Sequence, residues 1–191
     1  GTPLPSPATL ENGTMPINLE ESKVEWLGRN LINKHWGEIG LQSGNLEFKD
    51  GELIGGEFVL DMNQMTSADL AGNDLHDVLI EHLKSDDFFD VERFPEARFK
   101  ILSSERNAAR VDGASNLKVT GEMPIKGVTH VVDFEASAGL TADAGNPAAQ
   151  AAIAIDRTHW DVIYGSGKWF HRLAGHLVND MVELQLRVVA A

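Results

Sequence analysis

Residues 57–62 of the chain read Glu-Phe-Val-Leu-Asp-Met. Phe58, Leu60 and Met62 share one parity, and the two acids of the stretch share the other. Successive side chains of a β-strand point to opposite faces, so this alternation predicts a half-buried strand. We therefore expect Phe58, Leu60 and Met62 to point into the interior of the fold.

The same two-residue period recurs along the rest of the chain. Asp50-Gly51 predicts a hairpin turn before this strand, and a change of parity around Ser43-Gly44 predicts a β-bulge. About eight strands are predicted in this way. The alternating apolar positions are Val24, Trp26, Ile39, Leu41, Leu46 and Phe48 upstream, and Ala97, Phe99, Ile101, Leu117, Val119, Met123, Val128, Val132, Phe134, Ala136, 149–155 and 182–188 downstream.

The hydrophobic period changes to that of a helix between Asp74 and Lys84. Asp74 is the predicted N-cap, and the predicted apolar face consists of Leu75, Val78, Leu79, His82 and Leu83. The turn that follows presents Phe88 and Phe89, and Pro95 ends the insertion. We expect this helical insertion between strands 3 and 4.

Eight antiparallel strands fit either a closed barrel or a sandwich. The barrel is favoured because closure removes long exposed edges and leaves an interior that can hold one small ligand. Residues 1–16 carry four of the seven prolines and are predicted to be a flexible leader. The predicted barrel domain spans residues 17–191.

Composition excludes several classes of function. A formal net charge of −13 disfavours nucleic acid as a partner, and no apolar run reaches the roughly 18 residues of a membrane span. The absence of cysteine excludes disulfides and thiolate sites. His76 and His82 are six residues apart and His171 and His176 five apart, so neither pair has the i, i+4 spacing of a helical zinc site. We predict no metal ligand and no catalytic residue.

Apolar side chains are concentrated on the helical insertion and a later loop. These side chains either plug the barrel mouth as ordinary core or line the entrance of an apolar cavity, and the sequence leaves both interpretations open; they are Leu79, Leu83, Phe88, Phe89, Trp160, Trp169 and Phe170. His82 is the polar member of the helical stripe. A covered imidazole needs a hydrogen-bond partner, which is either a protein group or the polar head of a ligand.

The order of several motifs resembles that of the YceI-like family, the polyisoprenoid-binding, lipocalin-like proteins. These motifs are HLKSDDFFDV at 82–91, FPEARF at 94–99, GEMPIKGVT at 121–129, IDRTHW at 155–160, Tyr164-Gly165, and SKVEW at 22–26. The resemblance covers about residues 17–189. It implies an all-β, eight-stranded antiparallel lipocalin-like barrel with a long apolar tunnel, and export to the periplasm or secretion after removal of a signal peptide.

The resemblance also implies a function. We expect the barrel to bind, store or transport a long-chain isoprenoid or similar amphiphilic lipid, such as a polyprenyl quinone, without other cofactors and without covalent chemistry. An enzyme or isomerase acting on a small apolar substrate remains an alternative, as does a stress or interaction module with a filled core. A homodimer is left open. The expected ligand-binding residues are Trp26, Phe58, Leu60, Met62, Leu79, His82, Leu83, Phe88, Phe89, Phe134 and Trp160.

Overall fold

The computed structural model describes residues 12–106, 116–167 and 177–191. Within these ranges the elements are strands β1 to β9, one helix, α1, and a 3₁₀ turn at Arg157–Trp160. Their bounds are β1 Gly13–Pro16, β2 Lys23–Arg29, β3 Lys34–Lys49, β4 Glu52–Ser67, α1 Leu75–Lys84, β5 Glu96–Arg106, β6 Leu117–Ile125, β7 Val128–Leu140, β8 Pro147–Asp156 and β9 Met181–Val189.

The strands form a closed antiparallel barrel. Consecutive strands from β4 to β9 pair in order, β9 pairs with β2, β2 with β3, and β3 with β4. The short strand β1 pairs with the second half of β3, whereas β2 pairs with its first half. The two therefore occupy a single position in the barrel, which has eight positions in all. The predicted eight-stranded antiparallel barrel is confirmed.

A turn built on Asn18 separates β1 from β2. The Asn18 side-chain oxygen accepts hydrogen bonds from the amides of Glu20 and Glu21, at 3.0 and 3.3 Å. Such a local bond competes with the strand ladder and bends the chain. Ile17 still forms a bridge with Ala190 before the turn, so the edge of the barrel stays paired across the interruption.

The predicted position of the helix is wrong. Helix α1 lies between β4 and β5, not between the third and fourth strands. The number of strands before the helix differs because Gly13–Pro16, which was predicted to belong to the leader, forms β1 against Asn45–Phe48. Residues 1–11 of the predicted leader lie outside the described residues.

Two local features of the β3–β4 hairpin are confirmed. Asp50 and Gly51 both have positive φ, 53° and 79°, as a tight hairpin turn requires. The pairing of β3 with β4 shifts register between Leu41 and Ser43, where the bulge was predicted. A bulge bends a strand and increases its twist, which helps a strand of this length to curve around a barrel.

The orientation of α1 differs from the predicted one. Leu75 and Val78 are 59% and 65% exposed, whereas Ile80, outside the predicted face, is buried at 5%. His76 accepts a hydrogen bond at Nε2 from the Ser67 amide, at 3.1 Å. Because this bond turns His76 towards β4, positions three to four residues further along face the barrel as well, and Leu75 and Val78 face solvent.

The N-terminus of α1 is also capped differently from the prediction. Asp74 holds the N-cap position but makes no capping hydrogen bond with its side chain. The side-chain oxygen of Asn73 instead accepts from the Leu75 amide at 2.8 Å. One of the free amides at the start of the helix is therefore satisfied by the residue before the predicted cap.

Candidate functional site

The barrel contains a mostly apolar cavity of about 620 Å³. This volume lies within the range of about 300–1,000 Å³ typical of ligand-binding pockets. Strands β2, β3, β4 and β9 supply its inner wall with Val24, Trp26, Ile39, Leu60, Met62, Leu184 and Leu186. Trp26 faces the cavity with its polar atom satisfied, because Nε1 donates to the Thr66 carbonyl at 3.0 Å.

The cavity opens at one end of the barrel. In an antiparallel barrel alternate connections share an end, and all four connections of this end contribute to the lining. Asn30 comes from the β2–β3 hairpin, Leu83 from α1, Lys126 from the β6–β7 turn and Asn179 from the β8–β9 connection. The mouth is thus framed by loops and by the helix, while the strands form the walls.

The structure brings together eight of the eleven predicted ligand-binding residues at the cavity. These are Trp26, Leu60, Met62, Leu79, His82, Leu83, Phe88 and Phe89. They come from β2, β4, α1 and the turn after α1, so the insertion forms part of the cavity wall. Of the two interpretations of its apolar side chains, lining of a cavity describes Leu79, Leu83, Phe88 and Phe89 better than a plug does.

The other three predicted residues, Phe58, Phe134 and Trp160, do not line the cavity. The ring centroids of Phe58 and Phe134 lie 6.3 and 5.9 Å from that of Phe99, which does line it. Trp160 is buried, and its Nε1 donates to the Met123 carbonyl at 2.8 Å. All three face the interior, but they belong to the part of the barrel that side chains fill.

His82 stands in a cluster of rings at the cavity wall. Its Nε2 lies 3.0 Å from Oδ2 of Asp87, in the turn that follows α1. The imidazole meets the rings of Phe88 and Tyr164 edge-on, at centroid distances of 5.0 and 4.7 Å. The partner that the sequence argument required is therefore a carboxylate of the protein.

Arg157 is a buried charge beside this cluster. Its side chain is 4% exposed and lines the cavity. Nε, Nη1 and Nη2 donate to the carbonyls of Asn179, Val162 and Val178 at 2.9–3.0 Å, and the guanidinium lies 5.7 Å from the centre of the Phe88 ring. The side chain thus joins the two ends of the β8–β9 connection to the cavity wall.

The pKa of Arg157 is lowered. Burial is the main cause, and the neighbouring carboxylates of Asp180 and Asp156 partly offset it. An arginine starts from so high a pKa that it stays protonated. The cavity therefore has a fixed positive charge in its wall, with most of its donors already used by the backbone.

A second polar group lies at the mouth, where His35 lines the cavity. Its Nδ1 is 2.7 Å from Oδ2 of Asp69, whose Oδ1 accepts from the Trp36 amide at 3.0 Å and from the Ser67 hydroxyl at 2.7 Å. Burial raises the pKa of Asp69, but these three hydrogen bonds outweigh burial and lower it below the ordinary value. Asp69 therefore holds the His35 ring in place and joins β3 to the end of β4.

Asp69→Asn is expected to reduce the free energy of unfolding at pH 7 by about 1–3 kcal/mol, because an amide cannot accept from all three donors. The folded-state pKa of Asp69 is depressed, so its stabilisation is complete above the unfolded pKa of about 3.9 and is lost as pH falls through the folded pKa. The difference between the variant and the parent should therefore shrink below about pH 4. Paired urea titrations of the variant and the parent at neutral and acidic pH measure this difference.

Asp86→Asn, at an exposed carboxylate, is the control. A difference between Asp69→Asn and the parent that does not change with pH would contradict the lowered pKa of Asp69.

The polar residues that line the cavity without a predicted role include His35, Arg157 and Tyr164. Arg157 and Tyr164 lie within motifs quoted in the sequence analysis, and those motifs are the signal from which a role at the site could have been inferred. His35 lies in a strand of ordinary alternation, and no adjacent residue or motif marks it as part of a site. Its role depends on Asp69, which is 34 residues away in the chain, and no local pattern connects the two.

Within residues 12–106, 116–167 and 177–191, no three histidine or acidic side chains are grouped so that they could share a metal ion. His171 and His176 lie outside these ranges, as do Trp169 and Phe170 of the apolar side chains that the sequence placed at the barrel mouth. Nor does the described part of the chain contain a helix long and apolar enough to cross a membrane.

Known proteins resemble this chain in sequence pattern and in fold. A model of the YceI-like domain matches residues 16–190. The crystal structure of BcnA from Burkholderia cenocepacia is 19% identical, with a TM-score of 0.68, over 92% of this chain and 99% of that one. A polyisoprenoid binding domain from Saccharophagus degradans, implicated in plant cell wall breakdown, is 14% identical, with a TM-score of 0.64, over 95% and 99%.

A third solved structure, the YCEI protein of Campylobacter jejuni, is 17% identical, with a TM-score of 0.57, over 80% of this chain and 83% of that one. No curated protein sequence matches the chain significantly. At these identities the structures establish a shared fold.

Proposed function

The chain belongs to the YceI-like family, and we propose that its barrel binds the hydrocarbon chain of an isoprenoid or similar amphiphilic lipid in order to store or carry it. The observation that carries this proposal is the apolar cavity of about 620 Å³. The similarity in fold to the polyisoprenoid binding domain of Saccharophagus degradans supports it. Such a role needs no covalent chemistry, and we place it in the periplasm or outside the cell.

The energetics of burial favour a long chain over a short one. Each buried CH₂ group contributes about 0.8 kcal/mol, so ten buried carbons supply roughly 8 kcal/mol before the costs of association. The walls contributed by Leu60, Met62 and Leu184 offer an isoprenoid chain only apolar contacts. A ligand with several prenyl units would therefore bind much more tightly than a short amphiphile.

The polar groups of the site favour a neutral oxygen-bearing head. Three donors of Arg157 are bound to backbone carbonyls, and His82 is paired with Asp87. Within the described part of the chain, the Tyr164 hydroxyl makes no hydrogen bond, and Tyr164 lines the cavity beside His82. A polyprenyl quinone suits this arrangement, because a ring carbonyl can accept from Tyr164 while the tail follows the apolar walls.

The test is to extract the purified protein with organic solvent and to identify bound lipid by mass spectrometry. We expect masses that differ by prenyl units. In a second arm the delipidated protein is incubated with ubiquinone in detergent micelles and separated by gel filtration, and ubiquinone should elute with it. Failure in both arms would overturn the proposal, and uptake of saturated fatty acid in preference to ubiquinone would overturn the isoprenoid assignment.

A further inference from the structure

The β2–β3 hairpin carries the most exposed large apolar side chain in the described part of the protein. Leu31 and Ile32 are 63% and 86% exposed. They do not belong to a loose loop, because the Asn30 side chain accepts hydrogen bonds from the amides of Ile32 and Asn33, at 3.1 and 2.6 Å. The Asn30 amide also donates to the Asn33 carbonyl. We refer to residues 30–33 as the hairpin tip, and its turn holds both apolar side chains in solvent.

The flanks of the hairpin tip are positively charged in a protein of net charge −13. Residues 26–37 contain Arg29 and Lys34 but no Asp or Glu. Lys34 lies with its Nζ 5.4 Å from the centre of the Trp36 ring, and Trp36 is itself exposed. Exposed aliphatic residues beside tryptophan and basic side chains are the composition of segments that enter the interface of an anionic membrane.

The hairpin tip is continuous with the mouth of the cavity. Arg29, Asn30 and His35 line the cavity, and a bridge between Asn30 and Val178 continues the pairing of β2 with β9 at the rim of the mouth. A membrane that received the tip would therefore lie directly against the opening. A hydrocarbon chain could then pass between bilayer and cavity without crossing open water.

The two exposed apolar residues of α1, Leu75 and Val78, do not share this charge environment. They stand beside Asp74 and Asp77, and the side chain of Asp77 is almost fully exposed. An anionic surface would repel these carboxylates. Charge therefore distinguishes the hairpin tip from the other apolar surface near this end of the barrel.

We propose that the hairpin tip docks this protein onto anionic membranes, with Leu31 and Ile32 entering the interface and Arg29 and Lys34 contacting lipid phosphates. The docking itself rests on exposure and charge. Its purpose, the exchange of a lipid between bilayer and cavity, rests on the proposed function.

The experiment is co-sedimentation of the full chain with vesicles of phosphatidylcholine alone, or of phosphatidylcholine and phosphatidylglycerol in equal parts. We expect binding to the mixed vesicles that weakens with added salt. Leu31→Ser with Ile32→Ser should reduce the partition coefficient at least about tenfold. Arg29→Gln with Lys34→Gln should abolish the preference for phosphatidylglycerol.

The matched control is Ile54→Ser with Val131→Ser, which removes two exposed apolar side chains elsewhere on the barrel. Thermal unfolding of every variant confirms that it is folded. No binding of the parent chain to mixed vesicles, or an equal loss in the control, would overturn the proposal. If the parent fails to bind vesicles but takes up ubiquinone from micelles, docking is wrong and the proposed function stands. If it binds vesicles but takes up no ubiquinone, the proposed function fails and docking stands.

Discussion

Arg157→Met is expected to lower the free energy of unfolding by about 3–5 kcal/mol, the usual effect of removing one member of a buried, hydrogen-bonded charge system. Methionine preserves much of the volume but none of the donors. The carbonyls of Asn179, Val162 and Val178 would each lose a charge-assisted hydrogen bond. The variant would also remove the positive charge that interacts with the carboxylates of Asp180 and Asp156.

Urea unfolding of the parent and the variant measures the loss, and Arg106→Met supplies the control. Arg106 forms a 3.1 Å ion pair with Glu52, but both side chains are more than half exposed. An exposed pair of this kind contributes only about 0–1 kcal/mol. If Arg157→Met destabilises the protein no more than Arg106→Met does, the guanidinium does not hold the β8–β9 connection in the way described.

The strands were predictable because their information is local. One face of each strand packs in the barrel and the other meets water, so the pattern around Phe58 and Met62 records burial directly. The turn at Asp50-Gly51 is equally local, because it requires positive φ at both positions, and glycine adopts that conformation readily. Closure into a barrel followed from the need to pair long edges.

The rotation of α1 could not be read from its sequence. Its apolar residues include Leu75, Val78, Leu79 and Ile80, which surround too much of the helix to define a single face. The hydrogen bond between His76 and the Ser67 amide selects the buried side. That choice depends on the end of β4, and the helical period contains no information about it.

The boundary between the cavity and the packed core could not be predicted from the sequence either. Phe58 and Leu60 have the same parity on β4, and parity states only that both face inwards. Whether the space in front of a side chain is empty depends on the rings that other strands supply. Phe99 and Phe134 fill the space near Phe58, whereas Leu60 borders open volume.

Leu60→Trp is expected to reduce uptake of ubiquinone by at least about tenfold. Most of the proposed affinity comes from burying about ten carbons of the lipid chain, so a ring that displaces part of the chain removes a large share of it. Leu60 is half-buried in the wall of the cavity. An indole at this position would project into the volume that the lipid chain is proposed to fill. Gel filtration of the delipidated variant after incubation with ubiquinone in micelles, followed by extraction, measures the uptake.

The same variant distinguishes an open cavity from a filled core. In an open cavity the added ring meets no packed atoms, so the melting temperature should stay close to that of the parent. In a filled core the overpacking would cost about 1–3 kcal/mol of stability.

Ile54→Trp places the same ring on the same strand at an exposed position outside the cavity, and it should change neither uptake nor stability. Unchanged uptake in folded Leu60→Trp would mean that the lipid does not pass this wall, whereas lost uptake with an unchanged melting temperature would locate the lipid chain beside Leu60.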